Sequence, residues 1–240
     1  MADIKEVFSY RQFDIQQSHA AMRVGTDSDL LGTLGAGGQR ILDIGTGTGV
    51  LSLMMAQRYP EATITAIEID DNAIIDASHN FAASRFADRI TLIHTSFQDY
   101  VKEFKAKGGQ PLFDSVICNP PYFDKSLECN NQSKTRARHT SSLPFRDLIE
   151  GAFDLLVDGG VFSVCIPPEV LSDFTSECII DGFWPQDFYH IKSVPEKEPK
   201  RFVLVHRKGM AERHDYTYCM RNSDRSRSEW YKQLMADFHI

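Results

Sequence analysis

Short apolar runs alternate along this chain with stretches whose apolar positions recur every three or four residues. Arg40–Ile44, Ala62–Ile69 and Ile90–His94 have the length and β-branched content of buried strands. Between them, Val50–Arg58 has helical periodicity. A second helix, capped by Asp70 or Asp71, runs to Ala83 with Ile74, Ala77 and Phe81 on its inward side and Phe86 after a break. Ser115–Cys118 is a fourth strand, closed by Asn119-Pro120-Pro121-Tyr122. Beyond it the pattern predicts a helix over Leu143–Leu156, with Leu148, Ala152, Leu155 and Leu156 inward and Asp158-Gly159-Gly160 as its stop. A strand at Val161–Ile166, a helix from Pro168 to about Gly182, a strand pair at Phe188–Ser193 and Phe202–His206, and a short helix from Ser228 to Phe238 complete the series. Strands alternating with helices predict an α/β fold around a parallel sheet.

The first forty residues are short elements with polar interruptions. Tyr10–Ile15 alternates as a strand, Ala20–Val24 reads as its returning arm, and Thr26 or Asp27 caps a helix through Leu34. Lys102–Gln110 reads as a charged surface connection. Phe123–Ser142 lacks periodicity and reads as a long loop over the pocket, a length that is uncommon without a function.

Two turns carry candidate chemistry. Ile44 leads into Gly45-Thr46-Gly47-Thr48-Gly49 and then a helix, the strand–turn–helix opening of nucleoside-binding α/β folds. Dinucleotide binders use G-x-G-x-x-G, and here the third required position is Val50, so the pyrophosphate signature fits poorly. Glu68 at the tip of the next strand stands where such folds hydrogen-bond a ribose diol. Ser96 and Phe97, after the third strand, are placed to flank a purine, although Phe97 reads nearly as well as core.

The second turn is Asn119-Pro120-Pro121-Tyr122. Neither proline can donate to a strand ladder, and each biases the residue before it toward extended dihedrals. The chain therefore leaves the sheet stiffly. The Asn119 side-chain oxygen and the Pro120 carbonyl are two acceptors for the two hydrogens of an exocyclic NH2, and Tyr122 is an aromatic ring able to stack on its base. Asn-Pro-Pro as a simple turn is the competing reading.

Composition narrows the classes. The chain has 240 residues, 42% hydrophobic and 25% charged, and suits one large α/β domain. Its start lacks a basic flank followed by an apolar stretch, so no signal peptide is expected. Five cysteines form no Cys-x-x-Cys pair, which argues against a disulfide framework or zinc site and fits a reducing cytoplasm; Cys118, Cys165 and Cys178 read as core. The net charge of −7 argues against indiscriminate nucleic-acid binding. Even so, Lys125–Arg146 holds five Lys/Arg against one acid, and Pro185 to the end holds eleven against eight. Positive charge is thus set after the proposed site, where a polyanion is met locally.

The order LDIGTGTG, IEID, NPPY resembles class I S-adenosylmethionine-dependent methyltransferases that modify exocyclic or amide nitrogens. The opening YRQFDIQQSHAAMRVGTDSDLLG, the strand PKRFVLV and the ending EWYKQLMADF are similar to the tRNA1(Val) (adenine(37)-N6)-methyltransferase family. The resemblance implies a Rossmann-like, mostly parallel seven-stranded sheet with one antiparallel strand. It implies a single domain over 1–240, with 1–40 a hairpin and helix extension. S-adenosylmethionine is the implied cofactor, contacted by Asp43, Gly45, Gly47 and Glu68, with Ser96 and Phe97 near its adenine. Asn119, Pro120 and Tyr122 would hold the target nitrogen of a tRNA adenine. Lys134, Arg136, Arg138, Lys200 and Arg201 would hold phosphates. A monomeric cytoplasmic enzyme without metal or membrane is expected. Protein-glutamine and rRNA-guanine methyltransferases, a nicotinamide-dependent dehydrogenase and a non-catalytic RNA-binding module are the alternatives. Too little chain precedes the glycine turn for the extra domains that the first two carry.

Overall fold

The computed structural model describes residues 6–120 and 143–240. An antiparallel hairpin, β1 (Val7–Ser9) and β2 (Asp14–Gln16), pairs Phe8 with Ile15 and precedes helix α1 (Thr26–Leu34). The central series is β3 (Arg40–Ile44), α2 (Val50–Arg58), β4 (Thr63–Glu68), α3 (Asp71–Ala83), β5 (Ile90–His94), α4 (Phe97–Ala106) and β6 (Phe113–Cys118). Then come α5 (Phe145–Leu155), β7 (Leu156–Ile166), α6 (Leu171–Ile180), β8 (Phe183–Lys192), β9 (Pro199–Lys208), β10 (His214–Cys219) and α7 (Glu229–Leu234).

Among the described residues, eight strands form one sheet in the order β10-β8-β9-β7-β6-β3-β4-β5. Of these, β9 alone runs against its neighbours β7 and β8. The expected seven-stranded frame is present, and β10 extends it by pairing parallel to β8. Side chains alternate across the sheet with period two. Ile41, Ile117, Cys165 and Val203 face the layer of α1, α2, α3, α7 and the hairpin. Leu42, Val116, Val164 and Leu204, each one residue away, face the layer of α4, α5 and α6. Strands buried on both faces explain the nearly unbroken apolar runs. Cys118, Cys165 and Cys178 lie in this core at 2%, 1% and 0% exposure, as expected of small apolar residues.

Several elements differ from the sequence expectation. The hairpin closes earlier, and Ala20–Val24 forms no strand, because Asp76 on α3 takes the His19 and Ala20 N–H groups that strand pairing would use. Gly25, not Thr26 or Asp27, is the N-cap of α1. The segment expected as a connection is largely α4, which buries Phe97 and Phe104 and turns its charges outward; Ser96 caps it by accepting from the Asp99 N–H at 3.0 Å. The helix α5 passes directly into β7 at Leu156, so Asp158-Gly159-Gly160 lies within the strand instead of stopping the helix. The edge strand β10 carries no apolar run, since Tyr216, Tyr218 and Cys219 are its partly buried residues and the others are exposed. The two tyrosines stack with Tyr189 and Trp230, the latter pair at 4.4 Å between centroids.

His206 on β9 is fully buried beside Phe174 and Phe188, and neither ring nitrogen has a partner among the described residues. Burial pushes its pKa down from 6.5 to about 3. The unfolded chain therefore takes up this proton first as pH falls below 6.5, and stability is lost progressively from there toward pH 3. Between pH 6.5 and 5 the loss from this group is on the order of 2 kcal/mol. Because the raised Asp43 carboxyl acts in the opposite sense over the same range, denaturant titrations of the wild type and His206→Leu should be compared, and the wild type should lose about this much stability relative to the variant as pH falls from 6.5 to 5. An equal slope in both would remove His206 from the account.

Candidate active site

Parallel pairing of β3 with β6 sets Ile44 opposite Cys118. Both strands end there, so Gly45 and Asn119 leave the sheet side by side, about 4.8 Å apart by strand spacing. Asn119 is half-buried and Pro120 buried. The next strand over, β4, sets Ile67 opposite Ile44 and ends at Glu68. Three neighbouring strand tips thus bring together the glycine turn, the acid and the asparagine.

The turn is fixed by hydrogen bonds on both sides. Gly45 and Thr46 donate their N–H groups to the Ile67 carbonyl at 2.9 and 3.0 Å. Gly47 N–H donates to Glu68 Oε2 at 2.8 Å, while Glu68 Oε1 accepts from the Ile69 and Asp70 N–H groups at 2.8 and 2.9 Å. Glu68, 8% exposed, therefore clasps the turn and its own strand tip at once. Oε1 is then saturated, and Oε2 keeps one further lone pair available to a hydroxyl.

Asp43 lies beneath, fully buried. Its Oδ2 accepts from the Thr46 and Ser52 hydroxyls at 2.6 and 2.7 Å, and its Oδ1 has no partner among the described residues. Burial raises this carboxyl to about 6, against the pull of those two hydroxyls. Asp43 thus acts on the turn from below. Burial also pushes the Cys118 thiol well above its ordinary value, so this cysteine supplies packing and not a thiolate.

Gly45, Gly47 and Gly49 have φ of +69°, +57° and +85°, a region side chains rarely adopt. A Cβ at Gly49 would lie 2.4 Å from the Phe81 ring, so close packing excludes it. At Gly45 and Gly47 a Cβ would meet nothing within 4 Å. Those two positions border open space at the strand tips, where α/β folds bind ligands.

Ser96 and Phe97 follow β5. The Ser96 hydroxyl donates to Asp99 Oδ2 at 2.7 Å and is committed to its helix. The Phe97 ring is 5% exposed and packs over Gly151 of α5, where a Cβ would lie 2.6 Å from Cε1. Its ring is core and offers no face to a purine. Arg201 is ion-paired with Asp27 at the start of α1, and Lys200 is exposed at the start of β9. Tyr122, Lys134, Arg136, Arg138 and the 123–142 loop lie outside the described residues.

Asn80 was not singled out by sequence reasoning. Its Nδ2 donates to the Gln16 and Thr48 carbonyls, both at 2.8 Å, and its Oδ1 accepts from Gln16 N–H at 2.8 Å. One side chain thus ties the hairpin to the glycine turn. Asp76, one helical turn earlier, holds His19 by its N–H and by its ring Nδ1 at 2.8 Å. Burial alone would raise the Asp76 carboxyl, but the Ala20 and His19 donors outweigh it and hold it below its usual value. The signal was present: two polar residues interrupt the buried stripe Ala73, Ala77, Phe81 of α3.

Among the described residues, no helix is long and apolar enough to cross a membrane, and no group of three His, Cys, Asp or Glu is placed to hold a metal ion. The family model of the methyltransferase small domain matches residues 4–169. A tRNA1(Val) (adenine(37)-N6)-methyltransferase from Bacteroides thetaiotaomicron is 35% identical over 239 residues, covering 97% of each chain. The chain belongs to the tRNA1(Val) (adenine(37)-N6)-methyltransferase family. Relatives of the same name from Flavobacterium psychrophilum (36% identity, 83% of this chain and 84% of the relative) and Shewanella woodyi (34%, 97% and 98%) agree. Among solved structures, a predicted O-methyltransferase from Agrobacterium tumefaciens superposes with a TM-score of 0.67 at 20% identity, covering 88% of this chain and 96% of that one. SMU.776, a putative methyltransferase complexed with SAH, gives 0.59 at 16% identity, with 85% and 57% covered. Both likenesses show the class I methyltransferase fold in this family member.

Replacing Asn80 by Ala leaves the Gln16 and Thr48 carbonyls without their donor. Urea unfolding of Asn80→Ala should show a loss of about 1–3 kcal/mol, the cost of unsatisfied buried groups. A change within 0.5 kcal/mol, on the order of an ordinary surface substitution, would show that the brace is not structural.

Proposed function

We propose that this chain transfers a methyl group from S-adenosylmethionine to the exocyclic amino nitrogen of adenine 37 in a valine tRNA, acting over 1–240 as a single methyltransferase domain. The observation that carries this reading is the register of β3 against β6, which sets Asn119-Pro120 beside the glycine turn in a member of this family. The residues present fit the donor. Gly45 and Gly47 border open space, Glu68 Oε2 keeps one acceptor site for a ribose hydroxyl, and the unpartnered Asp43 Oδ1 adds negative character beneath a cationic ligand. Bound S-adenosylmethionine supplies an electrophilic methyl on its sulfonium, and Asp43, Gly45, Gly47 and Glu68 would hold it. Ser96 and Phe97 contribute through the main chain at the start of α4, since the first N–H groups of a helix lack intrahelical partners.

The chemistry left to the protein is positioning and charge stabilisation. The adenine amino nitrogen is a weak nucleophile because its lone pair is delocalised into the ring. The Asn119 oxygen and the Pro120 carbonyl accept its two hydrogens, which turns the lone pair out of the ring plane and favours the positive charge that develops as the N–C bond forms. Tyr122 would stack on the base. The proton then leaves to solvent, and no dedicated base is assigned. The adenine must leave its stack to enter, a cost of a few kcal/mol that is least in a loop.

Incubation with methyl-labelled S-adenosylmethionine and separate pools of unmodified tRNA, total rRNA, duplex DNA and release factor, followed by nucleoside and peptide analysis, tests the assignment. Label should appear as N6-methyladenosine in tRNA. Label on guanine or glutamine would replace this substrate by another, and no transfer to any pool would leave a binding module.

Two substitutions separate the roles of the residues. Asn119→Ala should lower kcat by at least 10²-fold, the scale of a lost transition-state hydrogen bond, while calorimetry shows nearly unchanged S-adenosylmethionine affinity. Glu68→Ala should weaken that affinity by about tenfold or more. Turnover within a few fold for the first, or unchanged binding for the second, would remove that residue from its assigned role.

A further inference from the structure

A cleft of about 530 Å³ lies between the β8–β9 loop and the turn that follows β10. Its walls include Lys197, Arg221 and Arg225 against one carboxylate, Glu196. The two loops are joined. Ser223 donates to Glu196 and Arg221 N–H donates to the Ser193 carbonyl at 3.1 Å, while Lys192 Nζ braces the β8–β9 loop from within by donating to the Pro195 carbonyl at 3.0 Å. Arg221 Nη1 donates to the Arg225 carbonyl at 2.8 Å, which braces the turn from within. The cleft is thus a built wall and not a gap between independent loops.

Three cations of this half of the molecule are compensated by carboxylates. Arg201 pairs with Asp27, Arg213 with Asp215, and Lys232 with Glu229. Among the described residues, Lys197, Arg221 and Arg225 form no ion pair, and the Glu196 carboxylate between them is turned onto Ser223. Arg225 is also the one described non-glycine residue with positive φ, at +67°, a conformation that a residue with a Cβ rarely adopts.

Position gives the cleft a meaning. β8 and β10 run parallel to β6, so their ends at Lys192 and Cys219 open on the same rim as Cys118 and Asn119. From β6 the order is β7, β9, β8, β10, so three to four strand spacings of about 4.8 Å separate the Asn119 tip from the cleft, roughly 15–19 Å. One polynucleotide strand spans that distance. Lys200, exposed at the start of β9, lies between the two.

We propose that this cleft is a backbone-phosphate subsite, in which Lys197, Arg221 and Arg225 hold phosphodiesters of the substrate RNA a few nucleotides from the base at Asn119. The inference rests on the assignment of RNA as substrate and adds where that RNA runs. It follows the sheet rim from β6 toward β10 and crosses Lys200 on the way. Phosphate contacts set register and strength without reading sequence. Arg201 is left out of it, because its Nε is committed to Asp27.

The test is binding of unmodified valine tRNA as a function of salt, for the wild type and for Lys197→Gln/Arg225→Asn. Asparagine tolerates the left-handed backbone at 225, so the turn is kept. The double variant should bind tRNA about tenfold more weakly, with the slope of log K against log salt reduced by about 1.5, the effect of losing two phosphate contacts. Its thermal midpoint, S-adenosylmethionine affinity and kcat at saturating tRNA should match the wild type. Arg225→Lys, which keeps the charge, should restore most of the affinity when Lys197 is intact. An unchanged affinity and slope in the double variant, with tRNA methylation intact, overturns the subsite alone. Methyl transfer by the wild type to free adenosine or to protein, with no salt-dependent binding of tRNA, overturns the substrate assignment and the subsite with it. A lowered midpoint in the double variant passes the decision to Lys197→Gln alone, which alters no backbone and should reduce the slope by about half as much.

Discussion

The parallel hydrogen-bond register between β3 and β6 is the constraint on which the rest of this site depends. Ile44 opposite Cys118 makes two unrelated turns, one of glycines and one of prolines, emerge at neighbouring points of the same rim. A slip of one residue would send Asp43 and Ile117 to opposite layers and would separate the turns. What opposes a slip is the core. Ile41 and Ile117 are buried in one layer and Leu42 and Val116 in the other, each at 0% exposure. Apolar packing some distance from the chemistry therefore sets the geometry of the chemistry.

Within that frame the glycine turn is held by three polar side chains. Glu68 takes the Gly47 N–H, Asp43 takes the Thr46 hydroxyl, and Asn80 holds the Thr48 carbonyl. Positive φ at Gly45, Gly47 and Gly49 makes the turn possible, and these hydrogen bonds choose one conformation of it. Such preorganisation matters for methyl transfer, in which the donor is already reactive and the protein acts by placing it. It also explains why the N-terminal hairpin belongs to the site, since Asn80 joins it to the turn through Gln16.

The central strands and helices were legible from their composition because each is buried on both faces or carries one clear apolar stripe. β3, α2, β5 and the cap of α3 at Asp70 lie where the pattern put them. The misreadings share a physical cause. α4 is so charged on its outer side that Phe97 and Phe104 looked isolated, and β10 is an edge strand whose inward residues are tyrosines partnered from other elements. Single positions at the site were harder still. Phe97 reads from sequence as core or as a purine contact, and the missing Cβ at Gly151 that receives its ring lies fifty-four residues away. Arg201 is read as an RNA contact from charge alone, and the Asp27 that stands beside it comes from α1, 174 positions away in the chain.

A structure with a non-reactive S-adenosylmethionine analogue and a tRNA anticodon stem-loop bound together measures the central claim most directly, through the separation between the donor position and the adenine N6. The account predicts about 3–3.5 Å, a near-attack separation, with N6 hydrogen-bonded to the Asn119 side chain and the Pro120 carbonyl. An adenine bound elsewhere on the rim, or a donor lying away from Gly45 and Gly47, would contradict it.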